Sequence, residues 1–214
     1  TVRGVVQRSH HLTSIRYRIV FWVALVAAAG LGVTLIATLG VKTISIWPPP
    51  GRQAWQYRLV WTLFAVACVG FLVVGGIDAG SLGLARWVGE AGTIILGSML
   101  VVGGTALASY AMGRLGLRGC LGLNAELVTD GPFAVSRNPG YVGDLILIAG
   151  YVLLTDSGLA GIVGGIGAVW FLLAPLAEEP WLEEQYGESY RRYRQRCPRF
   201  LGGASVRLLS SETA

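Results

Sequence analysis

Two short stretches of this chain carry side chains that can do chemistry together. SRNPGYVG at 136–143 places Arg137, Asn138 and Tyr141 within five positions, and a later stretch opens on the adjacent carboxylates Glu178 and Glu179. Carboxylates hold ribose hydroxyls or an ammonium, arginine offers a planar fork of donors to a carboxylate, and an aromatic ring covers a base. The set suits a small molecule with a charged amino-acid end, a ribose and an adenine. A plainer reading stands beside it: Glu178 and Glu179 cap the start of a helix, with Pro180 in its first turn. The residues alone leave both open. Pro139 and Gly140 add a turn to the first stretch, because proline restricts Asn138 and glycine tolerates backbone angles that other residues avoid.

A helical hairpin would bring the two stretches together. Apolar runs at 141–155 and 158–176 are joined by the tight TDSG sequence, and two antiparallel helices return their outer ends to one face. Earlier apolar runs at 15–41, 57–77 and 88–112 extend the pattern. Between residues 19 and 41 there is no charged residue, and about 20 apolar residues cross a bilayer. That run is too long for the core of a secretory signal and leads to no soluble domain, so it reads as an anchor.

The composition agrees. The chain is 53% hydrophobic and 14% charged, with 31 glycines and 7 tryptophans, a profile that excludes an ordinary soluble domain. The expected fold is all-α, a polytopic transmembrane helix bundle of about five spans. Glycines such as Gly97, Gly103 and Gly104 would allow close helix approach, and Phe71, Trp61, Trp87 and Trp170 read as packing residues or interfacial anchors. Segment 113–140 is too interrupted to span and belongs at the interface or in a protein-lined cavity. Beyond the hairpin, Tyr186, Tyr190, Tyr193 and Cys197 recur at helical spacing, predicting an interfacial amphipathic helix that lies on the membrane. The chain divides into N-terminal transmembrane helices (1–112), a core with the hairpin and C-terminal helix (113–201) and a flexible tail (202–214).

The formal net charge is +5, almost entirely from arginine. The arginines flank apolar runs, which points to membrane lipids as partners and away from nucleic acid. Segments 41–58, 113–140 and 178–214 hold 12 of the 17 basic residues, so the C-terminus is expected on the cytoplasmic side. Arg3, Arg8, Arg16 and Arg18 run against that rule if there are five spans. Cys68, Cys120 and Cys197 offer no disulfide framework or zinc spacing, and His10 and His11 have no second cluster of partners, so no metal is expected. No phosphate-binding loop or strand-linked GxGxxG occurs, and no serine–histidine pair sits in a plausible context.

Segment 127–154 followed by 178–200 resembles the isoprenylcysteine carboxyl methyltransferase and phospholipid methyltransferase group of membrane enzymes. The matching residues, in order, are Gly131, Pro132, Arg137, Pro139, Tyr141, Gly143, Glu178, Glu179, Leu182, Gly187, Tyr190, Tyr193 and Pro198. The resemblance covers 113–201. It implies a helix bundle that binds S-adenosyl-L-methionine in a cytoplasmic pocket roofed by the C-terminal segment and methylates a lipophilic or small-molecule acceptor, such as a prenylcysteine-like carboxylate, at a bacterial inner or plasma membrane. On that reading Asn138, Tyr141, Gly143, Glu178, Glu179 and Tyr190 form the cofactor pocket. Arg137 orients the acceptor, and Glu178 or Glu179 is the nearest base if the acceptor must lose a proton, with Glu178 assigned as catalytic. Asn138 stands where the family carries histidine, and Phe133 where tyrosine is common. The competing readings are an NADPH-dependent sterol-type membrane reductase and a non-enzymatic membrane scaffold. The acceptor and the oligomeric state are not legible in the residues.

Overall fold

The structure, a computed structural model, describes residues 2–41, 45–123 and 125–202, with side chains from residue 17 onward. The expected tail beyond Gly202 and the side chains of Arg3, Arg8, His10, His11 and Arg16 lie outside the described residues. Among those described, regular structure is helical only: α1 (Val2–Gly40), α2 (Trp55–Ile77), α3 (Ala85–Val88), α4 (Glu90–Cys120), α5 (Pro132–Val135), α6 (Pro139–Thr155), α7 (Gly158–Tyr186) and α8 (Glu188–Arg196). Four are long and apolar enough to cross a bilayer, at Tyr17–Gly40, Trp55–Ile77, Glu90–Cys120 and Gly158–Tyr186, with the shorter apolar α6 beside them. The chain is a polytopic helical bundle and an integral membrane protein.

Helices α4 and α6 run antiparallel at the distance of backbone contact. A Cβ added at Gly104 would lie 2.6 Å from the Gly143 carbonyl oxygen, and one added at Gly143 would lie 2.6 Å from the Ala108 nitrogen. Gly97 and Gly150 repeat the arrangement one heptad away against Leu154 and Val101. Small residues on facing stripes allow this approach, and in lipid such packing replaces the hydrophobic drive available in water. Gly103, expected to share in it, has open space around it.

Several boundaries differ from the sequence reading. α4 does not stop near Met112; it continues to Cys120 through a break at Gly116, whose φ of 72° and ψ of 165° are not helical. Glycine accommodates that angle without strain. α7 does not end at Leu176 but carries Pro175 and Pro180 inside it and runs to Tyr186. Glu178 and Glu179 therefore lie in the last turns of a long helix, and the reading of them as caps of a following helix is corrected. α8 is amphipathic as expected, yet Tyr190, Tyr193 and Cys197 pack on Phe133 and Ala111 of the same protein. Its apolar face is used inside the molecule, not on lipid.

At one end of the bundle, α2 stops, α6 turns into α7, and the carboxylates of Asp78 and Asp156 are consumed by local structure. Asp78 accepts hydrogen bonds from Ser81 (2.6 Å), Ser157 (2.7 Å) and the Leu159 N–H (3.0 Å). Asp156, with a left-handed φ of 51°, accepts the N–H groups of Leu84 (2.7 Å) and Ala85 (3.3 Å). Ser157 caps α7 through the Ala160 N–H at 3.0 Å. Burial alone would raise the Asp78 carboxyl, but the three hydrogen bonds together outweigh it and hold it below the usual carboxylate range.

Candidate active site

The opposite end, where α1, α4 and α7 finish and α2 and α6 begin, encloses a cavity of about 370 Å³. Its apolar wall comes from the bundle. Trp47 and Trp61 approach to 6.3 Å between ring centroids, Trp47 and Trp170 to 5.6 Å, and Tyr141 packs on Phe171 at 5.4 Å. Its rim comes from the bent end of α4, the 125–128 segment and the buried tyrosines of α8.

Glu178 sits at the junction. The Trp47 indole N–H donates to its Oε1 at 2.6 Å, and the Tyr141 hydroxyl donates to the same oxygen, which leaves Oε2 for a ligand. Trp47 is itself fixed from α1, since its backbone N–H donates to the Thr38 hydroxyl at 3.2 Å. A carboxylate at this depth is tolerated because it has donors and faces a cavity.

Glu179 points to a different set of partners. Arg199 grips it with two donors, Nε at 2.6 Å and Nη2 at 2.8 Å, while Arg137 Nη1 lies 3.0 Å from Oε1. The side chains of Arg137 and Glu179 are only 9% and 12% exposed, so this is a desolvated pair, and removing one partner would strand the other's charge. Arg137 also donates to the Tyr190 hydroxyl at 3.2 Å, whereas its Nε is buried with no partner among the described residues. Burial raises the Tyr190 phenol above its ordinary value, with the charge of Arg137 opposing, so the hydroxyl remains a neutral acceptor and donor.

Asn138 ties this cluster to the chain end. Its side-chain amide donates to the Arg199 carbonyl at 2.9 Å, and the Arg137 backbone N–H donates to the Pro198 carbonyl at 2.9 Å. Tyr193 donates to the Phe133 carbonyl at 2.7 Å, and the buried Cys197 thiol, raised chiefly by burial, points at the same carbonyl at 3.3 Å. Residues 188–199 thus close over the cavity as a roof.

Of the seven residues singled out from sequence, Arg137, Asn138, Tyr141, Glu178, Glu179 and Tyr190 line this one cavity. Gly143 does not; it faces α4 and sets the helix contact behind the cavity wall. The two carboxylates, both expected to hold the cofactor, are split between two networks. Trp61 and Trp170, expected to be anchors or packing residues, line the cavity, while Trp87 is 88% exposed as an anchor would be. Two contributors were missed. Trp47 lay hidden in a proline-rich connection, and Asp144 lay inside an apolar run, where a lone carboxylate three residues after Tyr141 was the available signal.

The lining has side chains that can hold a positively charged nucleotide. Aromatic faces attract a cation and stack on a base, and the carboxylates that line the cavity outnumber its one guanidinium. Among comparisons with known proteins, residues 92–189 match the phospholipid methyltransferase family, which bears out the resemblance. No curated protein and no solved structure matches the chain.

Proposed function

On the premise that this chain carries the core of the phospholipid methyltransferase family, we propose that it is an S-adenosyl-L-methionine-dependent membrane methyltransferase acting on a lipophilic or small-molecule acceptor. The observation that carries the reading is the convergence of Arg137, Asn138, Tyr141, Glu178, Glu179 and Tyr190 on one cavity at the end of the bundle. The family match favours transfer chemistry over the reductase and scaffold readings.

When bound, the cofactor supplies an electrophilic methyl group on a positively charged sulfur. The chain's own residues bind, orient and exclude water. Glu178, held on one oxygen by Trp47 and Tyr141, offers its other oxygen to cofactor hydroxyl or ammonium groups. Glu179 fastens Arg137 and Arg199 and so keeps the roof closed, with Asn138 and Tyr190 completing the enclosure. Holding both reactants in line supplies much of the acceleration for such an electrophile. For an acceptor that must lose a proton, Glu178 is positioned to take it. A carboxylate acceptor oriented by Arg137 would have to compete with Glu179 for the guanidinium. The arginine-rich loops at the site end support a cytoplasmic active site and C-terminus in a bacterial inner or plasma membrane.

Calorimetric titration of detergent-purified protein with S-adenosyl-L-methionine and its demethylated product, with NADPH in a parallel cell, tests the reading. Saturable heat for the first two and none for NADPH is expected. Heat for NADPH alone would turn the assignment to a reductase, and none for any would favour a scaffold.

A further inference from the structure

Asp144 projects from α6 into the apolar half of the cavity, one turn deeper than Tyr141, where Trp61, Phe64, Trp170 and Phe171 form the walls. Among the described residues neither a hydrogen bond nor an ion pair holds its carboxylate. Among the described residues its charge acts on Cys68 of α2 and on Tyr141, neither of them a cation. A carboxylate at membrane depth is costly unless it faces a cavity and meets a counter-charge. The protein does supply counter-charges elsewhere, but Arg137 and Arg199 are both engaged by Glu179.

The charge inventory of the cavity points the same way. Its lining holds Glu126, Asp144, Glu178 and Glu179 against Arg137 alone. Even with Arg199 included, the acids prevail. A head group bearing phosphate or carboxylate would enter this volume against a majority of like charges and, among the described residues, meet only guanidinium charge already paired with Glu179, whereas an ammonium would find Asp144 at the depth where a lipid chain can follow into the apolar walls.

Resting on the methyltransferase reading, we propose that Asp144 is an acceptor-binding residue and that the acceptor is a lipophilic amine without a phosphate or carboxylate group. Asp144 receives the ammonium N–H groups, the aromatic walls cover the adjoining hydrocarbon, and the Glu178 junction lies above, toward the cofactor. One ammonium proton would pass to the Asp144 or Glu178 carboxylate, and the nitrogen lone pair so freed would take the methyl group while the C–S electron pair stays on the sulfur of the demethylated product. The family match by itself would suggest a phospholipid; the carboxylate left unpaired and the excess of acids over cations among the described lining residues argue against one.

The test uses the full chain in nanodiscs of phosphatidylcholine, with quenching of tryptophan fluorescence by brominated probes of equal chain length as the readout. Oleylamine, oleyl alcohol, oleate and dioleoylphosphatidylethanolamine provide the series. Native protein is expected to prefer the amine to the alcohol, carboxylate and phospholipid by at least about tenfold, the effect of one charged contact. Asp144→Asn should erase the preference for amine over alcohol, and Asp144→Glu should keep part of it. An equal ranking in native protein, preference for the phospholipid, or a preference that survives Asp144→Asn would overturn the proposal. Should Asp144→Asn fail to fold, the native ranking and Asp144→Glu still decide. Binding of S-adenosyl-L-methionine is titrated on the same samples: its absence with the amine preference intact would sink the methyltransferase reading and leave Asp144 as an amine site.

Discussion

The two ends of the bundle use carboxylates in opposite ways. Around Asp78 and Asp156 the acceptors are matched to hydroxyls and backbone N–H groups from neighbouring turns, so those acids finish helices and join them. Around Glu178 and Glu179 the donors come from Trp47, from Arg137 and Tyr141, and from Arg199, brought from three separate parts of the chain. There, among the described residues, the geometry leaves capacity unused: one oxygen of Glu178, the buried Nε of Arg137, the indole N–H groups of Trp61 and Trp170 and the carboxylate of Asp144. Polar groups that are satisfied internally hold a fold, whereas capacity left over beside a cavity is what a ligand completes.

Substitutions can break this comparison. The largest effect is expected at the seam that both ends depend on: Gly104→Leu would drive side-chain atoms into the backbone of α6 and should yield no monodisperse protein by size-exclusion chromatography. Asp156→Ala comes next, because two backbone N–H groups lose their acceptor, a cost of about 1–3 kcal/mol. Its melting temperature should drop while cofactor affinity stays near native. Trp47→Phe removes one donor to Glu178 and keeps an aromatic wall, so affinity for S-adenosyl-L-methionine should fall by roughly threefold to tenfold, the worth of one hydrogen bond. The smallest effect is in acid. The lowered carboxyl of Asp78 contributes its full stability above the ordinary carboxylate range, about pH 4, and loses it as pH falls through the lower folded value. The difference in stability between native protein and Asp78→Asn, followed by thermal melts, should accordingly persist to about pH 4 and shrink below it. A difference that instead grew on acidification would contradict the network described.

Much of the bundle was legible because long apolar runs must become helices in lipid, where backbone groups can find no other partners. The hairpin and the meeting of Arg137, Tyr141 and Glu178 followed from its two antiparallel arms. Three things did not follow. The continuation of α7 through Pro180 was obscured because proline usually marks a boundary, while here it lies within a helix that packs firmly around Ala174 and Ala177. The role of Trp47 depends on a contact 131 positions away along the chain, which no local pattern encodes. Gly143 belonged to the matching motif, yet a motif glycine can serve helix approach as readily as a ligand, and only the position of α4 tells them apart.

The most direct test of the account is a crossed pair of variants, Glu178→Gln and Asp156→Ala, each measured for melting temperature and for calorimetric affinity toward S-adenosyl-L-methionine. The account predicts that Glu178→Gln weakens the cofactor by about tenfold or more, as loss of a charged hydrogen-bonding partner should, with little change in melting, and that Asp156→Ala does the reverse. Equal effects of both variants on binding, or native affinity in Glu178→Gln, would contradict the division of labour between the two ends.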